Sequence, residues 1–290
     1  MILIVGATGY LGGMIARHLL AQGREVRALV RAGSDYRPLV EAGAEVAIGD
    51  LREQSTLDAA CRVVDTVITT AIARLHEDPA SAEAINLGGY LNLIEAAKAA
   101  GVKRFMFTSA LGCDPTSPVP FVAAKGKVEQ SLRTSGIPYT ILAPDAFMDI
   151  WIMAIIGGPA LQGAPVWLVS EGGDRHSFVA ARDVAAFAVN SLDNTAAVNQ
   201  YIPIGGPAAI SWLDAVRVFE RALGRSIPVN HVQPGEPLPG LPPFMAELMA
   251  GFGRHESIVP MDEVAPRYGV QLTPLEEFVQ GVLALPQPTA

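Results

Sequence analysis

The chain has 290 residues, 50% of them hydrophobic and 17% charged, with a formal net charge of −8. This suits a well-buried globular protein of one large or two smaller domains and excludes the basic footprint of a nucleic-acid binder; an acidic surface serves solubility. Cys61 and Cys113 are too far apart for a C-x-x-C pair and too few for a disulfide framework, so both read as small buried hydrophobes in a reducing cytoplasm.

An apolar strand, MILIVGA, opens the chain, too short and uncharged for a signal peptide. GGMIARHLLAQG follows with helical period, placing Met14, Ile15, His18 and Leu19 on one side and Gly23 at its close. EVRALVR is a second strand, DYRPLVEAGA a short helix, EVAIGD a third strand, and STLDAACRVV a helix with a Ser/Thr cap. DTVITTAI is the fourth strand, SAEAINLGGYLNLIEAAKAAG a long helix ending at Gly101, and VKRFMFTSAL the fifth strand. A proline-rich loop leads to the helix AAKGKVEQSLRTSG and a sixth strand, PYTILAP. Strict alternation of strand and helix predicts an α/β fold, a Rossmann-type doubly wound parallel sheet.

After Pro144 the rhythm breaks. The run Ile150–Leu161 is apolar but falls short of a bilayer span, so no membrane segment is expected. PVWLVSEGGDRHSFVAA reads as strand, Gly-Gly turn, strand; RDVAAFAVNSL as a helix; QYIPIGG as a strand that can rejoin the main sheet. SWLDAVRVFERALG is an amphipathic helix capped by Ser211, and PGEPLPGLPP is a loop. FMAELMAGFG reads as a short helix whose greasy face packs in the core or covers an apolar ligand. The reading thus divides the chain into a nucleotide-binding domain, residues 1–147 with 176–206 returning to it, and a smaller mixed substrate-binding region, 148–175 and 207–290.

Gly6, Gly9 and Gly12 form G-x-x-G-x-x-G between the first strand and its helix. In such a turn the first glycine allows the bend, the second lets the backbone approach a diphosphate, and the third lets helix and strand pack closely. The helix N-terminus then favours the negative charge. At the tip of strand two stand Arg31 and Ser34, with Arg37 beyond, where NAD binders usually carry an acid. A guanidinium there meets a 2′-phosphate, so NADP(H) is the expected cofactor.

The segments GATGYLGG, LVRAGS, GDL, INLGGYLNLIEAAKAAGVKRFMFTSALG and KGKVEQSLRTSGIPYTILAP together resemble the atypical short-chain dehydrogenase/reductases, most of all their NmrA-like branch, which includes quinone, dye and isoflavone-type reductases. The resemblance implies that Gly6, Thr8, Gly9, Tyr10, Leu11 and Gly12 surround the diphosphate. It implies further that Asp50 and Leu51 touch the adenine, that Thr70 and Ala71 flank the ribose, and that Lys125 holds the nicotinamide ribose and acts in catalysis. Asn86 aligns with an asparagine that extended relatives keep on the fourth helix.

The departures from the pattern carry information too. The usual Tyr-x-x-x-Lys has become Phe121…Lys125, and phenylalanine donates no proton. Ala110 takes the place of the assisting serine, with Ser109 beside it, and Ala143 replaces the arginine often found before the strand-six proline. An acceptor that needs little acid assistance is therefore expected: a conjugated, largely apolar carbonyl, quinone or polycyclic aromatic ketone. Candidate substrate contacts are Ser109, Phe121, Phe147, Met148, Trp151, His176 and Phe252, drawn from a wider apolar set including Met153, Trp167, Phe178, Phe244 and Met249. Asp145, Asp149, His176, Lys125 or water could supply the proton.

Two functions stay open: an NADPH-dependent reductase, and a non-catalytic NADP(H)-binding sensor or scaffold of the NmrA-like type. A sugar-nucleotide epimerase ranks below both, because it needs the tyrosine. No metal motif, serine-hydrolase elbow or nucleic-acid motif is present; a monomer or homodimer with a small apolar substrate is expected.

Overall fold

A computed structural model describes residues 1–73, 79–241, 245, 249 and 256–284. The chain forms two compact units: Met1–Pro144 with Val184–Pro203, and Asp145–Asp183 with Ile204–Ala290.

In the first unit the alternation becomes β1 (Ile2–Val5), α1 (Tyr10–Ala21), β2 (Val26–Val30), α2 (Arg37–Glu41), β3 (Glu45–Ile48), α3 (Gln54–Ala60) and β4 (Thr66–Thr69). It continues through α4 (Pro79–Glu83), α5 (Tyr90–Ala99), β5 (Arg104–Thr108), α6 (Pro120–Thr134) and β6 (Tyr139–Pro144). The strands order as β3-β2-β1-β4-β5-β6, and β9 (Gln200–Ile204) adds a seventh beside β6. Pairings from β3 to β6 are parallel, with Ile4 opposite both Ala28 and Ile68. This is a Rossmann-type sheet. β1 and β2 are buried at every position, and both are apolar except at Arg27, which bonds Glu45 and the Ala60 and Arg62 carbonyls. On one face Leu3, Phe105, Phe107 and Ile141 pack against Leu93, Ala97, Val128 and Leu132.

The long helix before β5 is not regular. Between α4 and α5 the segment Ala84–Gly89 winds as a π-helical turn, which shifts the helical period mid-element. Gly89 is needed there, because a Cβ on it would stand 2.6 Å from Leu51 Cβ. α1 buries Ile15, Ala16 and Leu19, whereas His18 faces solvent in its last turn. α3 begins after Glu53 with no side-chain cap, so the expected Ser/Thr cap is absent; Thr56 instead bonds the Glu53 carbonyl at 2.7 Å.

The second unit has its own core, in which Ile152, Ile156, Phe178, Ala215 and Phe219 are fully or almost fully buried. A π-helical segment, Met148–Gly157, and α7 (Gly158–Leu161) follow β6. Next come β7 (Val166–Val169), β8 (Arg175–His176) and α8 (Ala181–Leu192), whose first turn belongs to this unit. The expected strand, turn and strand are present as β7 and β8, which do not pair with each other. β7 pairs in parallel with β11 (Val229–Val232), and β8 pairs antiparallel with β10 (Ile210–Ser211). Consequently residues 176–183 stay with the second unit, and 184–203 return to the first. α9 (Trp212–Leu223) starts in a full capping box: Ser211 Oγ accepts from Asp214 N, and the Asp214 side chain accepts from Ser211 N. Met245 and Met249 are buried in this core, while Phe244 and Phe252 lie outside the described residues.

Candidate active site

The glycine turn is shaped by what surrounds it. Gly6 has φ +95°, and a Cβ there would stand 2.8 Å from both Ala71 N and Thr70 Oγ1. A Cβ on Gly12 would lie 2.2 Å from the Gly6 carbonyl oxygen and 2.7 Å from Thr70 Oγ1. These two glycines let α1 press against the end of β1 and the Thr70 side chain. Gly9, the N-cap of α1, is different: its Cβ would meet only Gly6 O, at 3.2 Å. Packing inside the protein does not demand a glycine there, and a ligand approaching the backbone would. Thr8, Gly9 and Tyr10 are exposed around this point, with Leu11 half-buried. The first turn of a twelve-residue helix aims its N–H groups at the same place. The cradle therefore fits a diphosphate.

At the tip of β2, Arg31 and Ser34 are half-buried, and Ser34 N donates to Arg31 O at 3.1 Å, closing a turn. Arg37 is turned onto Asp35, 3.0 Å away. Asp50 accepts from Arg52 through the backbone N, Nε and Nη2 at 2.9, 2.9 and 2.7 Å. The Arg52 guanidinium holds that carboxyl below its usual range, and Arg31 adds a smaller effect in the same direction. Asp50 thus caps its own loop and brings little uncompensated negative charge near Arg31. Leu51 is buried, and its carbonyl accepts from Asn92 at 3.2 Å.

Two residues after β4 are held by the π-turn helix. Tyr90 OH donates to Ala71 O and receives Thr69 Oγ1 at 3.2 Å, and Asn86 Oδ1 accepts from Ala73 N at 2.9 Å. Asn86 therefore ties down the loop that carries Thr70 and Ala71. Tyr90 is a positioning residue that the sequence reading missed.

Lys125 is 6% exposed, and its Nζ donates to Thr108 O at 2.8 Å. The ammonium stands 4.9 Å from the centre of the Phe107 ring and 5.2 Å from that of Phe121. Burial depresses its pKa to about 8, against smaller opposing effects of Cys113 and Glu129. Phe121, where a tyrosine usually stands, forms one wall of the lysine's enclosure. Ser109 is 4% exposed, and its hydroxyl is turned onto Glu129 Oε1 at 2.5 Å.

The remaining candidates belong to the second unit. Met148 and Trp151 are 2% and 8% exposed and sit in its core, while Phe147 is half-buried and opens the π-helical segment. Asp149 accepts from Ala181 N at 2.7 Å, which starts α8. His176 is fully buried; its Nδ1 lies 2.8 Å from Ser257 Oγ, which in turn donates to Asp145 Oδ2 at 2.7 Å. Burial lowers the His176 pKa and raises that of Asp145. This chain fastens residues 256–259 to β8, because Val259 N also donates to Ser177 Oγ at 2.9 Å. The unit carries an apolar pocket of about 490 Å³, lined by Met153, Pro159, Trp167, Leu238 and Leu241 with Gln162 as a polar group. Among the described residues no His, Cys, Asp and Glu side chains cluster to hold a metal ion.

The sheet order, the glycine turn and the long βαβ series define a Rossmann-type dinucleotide-binding protein. The chain belongs to the NmrA-like family, whose model matches residues 1–279. It is 35% identical over 232 residues to an NAD(P)H azoreductase of Xenophilus azovorans, covering 80% of this chain and 76% of that one. Against a photosystem II assembly factor of Guillardia theta it is 33% identical over 231 residues, covering 80% and 73%. Its fold matches that of the NADPH-dependent quinone oxidoreductase of Escherichia coli complexed with NADPH, with a TM-score of 0.81, 22% identity, and coverage of 98% of this chain and 100% of that one. Triphenylmethane reductase of Citrobacter sp., complexed with NADP(H), matches with a TM-score of 0.80, 24% identity and coverage of 97% and 99%. At these identities the two structures speak for the fold alone.

Proposed function

We propose that this protein is an NADPH-dependent reductase that reduces a conjugated, largely apolar carbonyl, quinone or polycyclic aromatic ketone. The observation that carries this reading is Lys125: a buried amine with a pKa brought down to about 8, walled by Phe121 where an acid-donating tyrosine usually stands. The azoreductase relative, 35% identical to this chain, supports it.

Bound NADPH supplies the two electrons as hydride. The glycine turn would hold the diphosphate, and Arg31 with Ser34 would hold the 2′-phosphate, since the neighbouring carboxylate of Asp50 is paired with Arg52. Lys125 would hold the nicotinamide ribose and give one proton to the reduced substrate oxygen, regaining it once product release admits water. A pKa near the working pH suits that transfer. A quinone or extended ketone spreads the arriving charge over its own π-system, so one weak acid is enough. The unit Met1–Pro144 with Val184–Pro203 as cofactor domain, and the other unit as substrate region, are part of the same proposal, as are a cytoplasmic location and a monomeric or dimeric state.

A second reading, a non-catalytic NADP(H)-binding scaffold, draws support from the assembly-factor relatives and from Phe121 and Ala110. One assay separates the two. The protein is mixed with NADPH and a panel of naphthoquinones, azo dyes and aromatic ketones, and the nicotinamide absorbance is followed. Turnover on at least one acceptor is expected. Tight NADPH binding with no turnover on any of them selects the scaffold.

A further inference from the structure

Glu129 stands one helical turn beyond Lys125 on α6, so the two side chains share a face of the helix. Both are tied to consecutive residues at the end of β5. Thr108 offers its carbonyl oxygen to Lys125 Nζ at 2.8 Å, and Ser109 donates its hydroxyl to Glu129 Oε1 at 2.5 Å. Burial pushes the Glu129 carboxyl above its usual range, and the Ser109 hydroxyl works against that shift by favouring the ionised form. Arg133 Nη2, 3.5 Å from Glu129 Oε2, supports the same charge state. Ser109, Lys125 and Glu129 are 4%, 6% and 7% exposed, so water contributes little to any of them.

We propose that Glu129, anchored by Ser109, is a positioning residue that keeps Lys125 in its ammonium form and docked against the end of β5. What the ammonium is used for rests on the reductase reading; the pairing of the two residues does not. Three other titratable groups face this cluster. They are Cys113 from the loop between β5 and α6, Arg133 from α6, and Tyr201 from β9. Burial pushes the Cys113 thiol and the Tyr201 hydroxyl up, so both are neutral at pH 7. Arg133 is turned onto Glu129, and the rings of Phe107 and Phe121 carry no net charge. Glu129 is thus the anion that favours charge on Lys125. Ser109 acts through Glu129 and does not touch substrate.

The chain has four lysines, Lys98, Lys103, Lys125 and Lys127, so protein labelled with ε-¹³C-lysine gives few carbon resonances to follow by NMR without cofactor. Lys125→Arg assigns the one that titrates near pH 8 in the wild type. Glu129→Gln keeps the volume and an oxygen acceptor for Ser109 but removes the charge. It is expected to move that midpoint down by about one pH unit. The alkaline limb of kcat/KM for NADPH and menadione should move by the same amount. An unchanged midpoint in a Glu129→Gln protein that melts like the wild type overturns the proposal. Should Glu129→Gln fail to fold, Ser109→Ala loosens the carboxylate and is expected to shift the midpoint the same way by less; no shift there overturns it equally. A shifted midpoint in a protein that reduces no acceptor leaves the pair standing and removes the reductase reading.

Discussion

Lys125 brings stability and activity into conflict. Its pKa falls from 10.5 to about 8 on folding. The unfolded chain therefore binds the extra proton between those values, and stability rises with pH across that window. Lys125→Met is expected to stabilise the cofactor-free protein by about 3 kcal/mol at pH 7. The same variant should lower kcat/KM by about 100-fold or more. Urea titration at pH 7 and at pH 10 checks the first part: the gain should shrink at the higher pH. Phe121→Tyr is expected to change quinone turnover by less than about threefold, since Ala110 offers a new phenol no hydroxyl and Ser109 is already committed to Glu129. A gain of 100-fold would show that the natural reaction wants the stronger acid. Arg31→Glu should reverse the preference for NADPH over NADH by about tenfold or more, read from the two Kd values. Sequence alone named Lys125 and Arg31 as candidates and noted Phe121 in place of the tyrosine. It could not show that Ser109 faces the helix, because strand alternation gives two faces and not which of them holds the substrate.

At the scale of elements, the β1–α1 junction is held by an approach that leaves no room for a methyl group. Gly12→Ala would place Cβ 2.2 Å from the Gly6 oxygen, so α1 must move. The expected result is a loss of about 2 kcal/mol or more of stability and of measurable NADPH binding, checked by thermal melting and calorimetry. Gly9→Ala is the contrast, with near-normal melting but weakened binding. The motif assigned these different roles to the second and third glycines, and the distances around them were what only the structure could add. Of the seven strands of the sheet, β1, β4, β5 and β6 were the most legible, because buried parallel strands appear as apolar runs bounded by turn residues. β7 and β8 were legible as strands around a turn, but their partners, β11 and β10, were not, because those lie more than thirty residues away. The π-helical turns at Ala84–Gly89 and Met148–Gly157 were hidden because apolar periodicity over so short a span does not separate one helical pitch from another.

For the whole molecule, the chain crosses between units at residues 144, 183 and 203 and builds a separate core in each. Sequence gave no sign that 176–183 belong with the second unit, since α8 reads as one uninterrupted helix across the boundary. NADPH at a hundredfold excess over its Kd should stabilise the protein by about 2.7 kcal/mol, a rise of several degrees in melting temperature; no rise would contradict the cofactor assignment. The three tryptophans, Trp151, Trp167 and Trp212, all lie in the second unit, and the four lysines all lie in the first. Nature has thereby given each half its own spectroscopic label. Indole emission and lysine carbon signals, recorded during a single denaturation, would show directly whether one half can melt while the other stays folded, with no dye attached and no residue replaced.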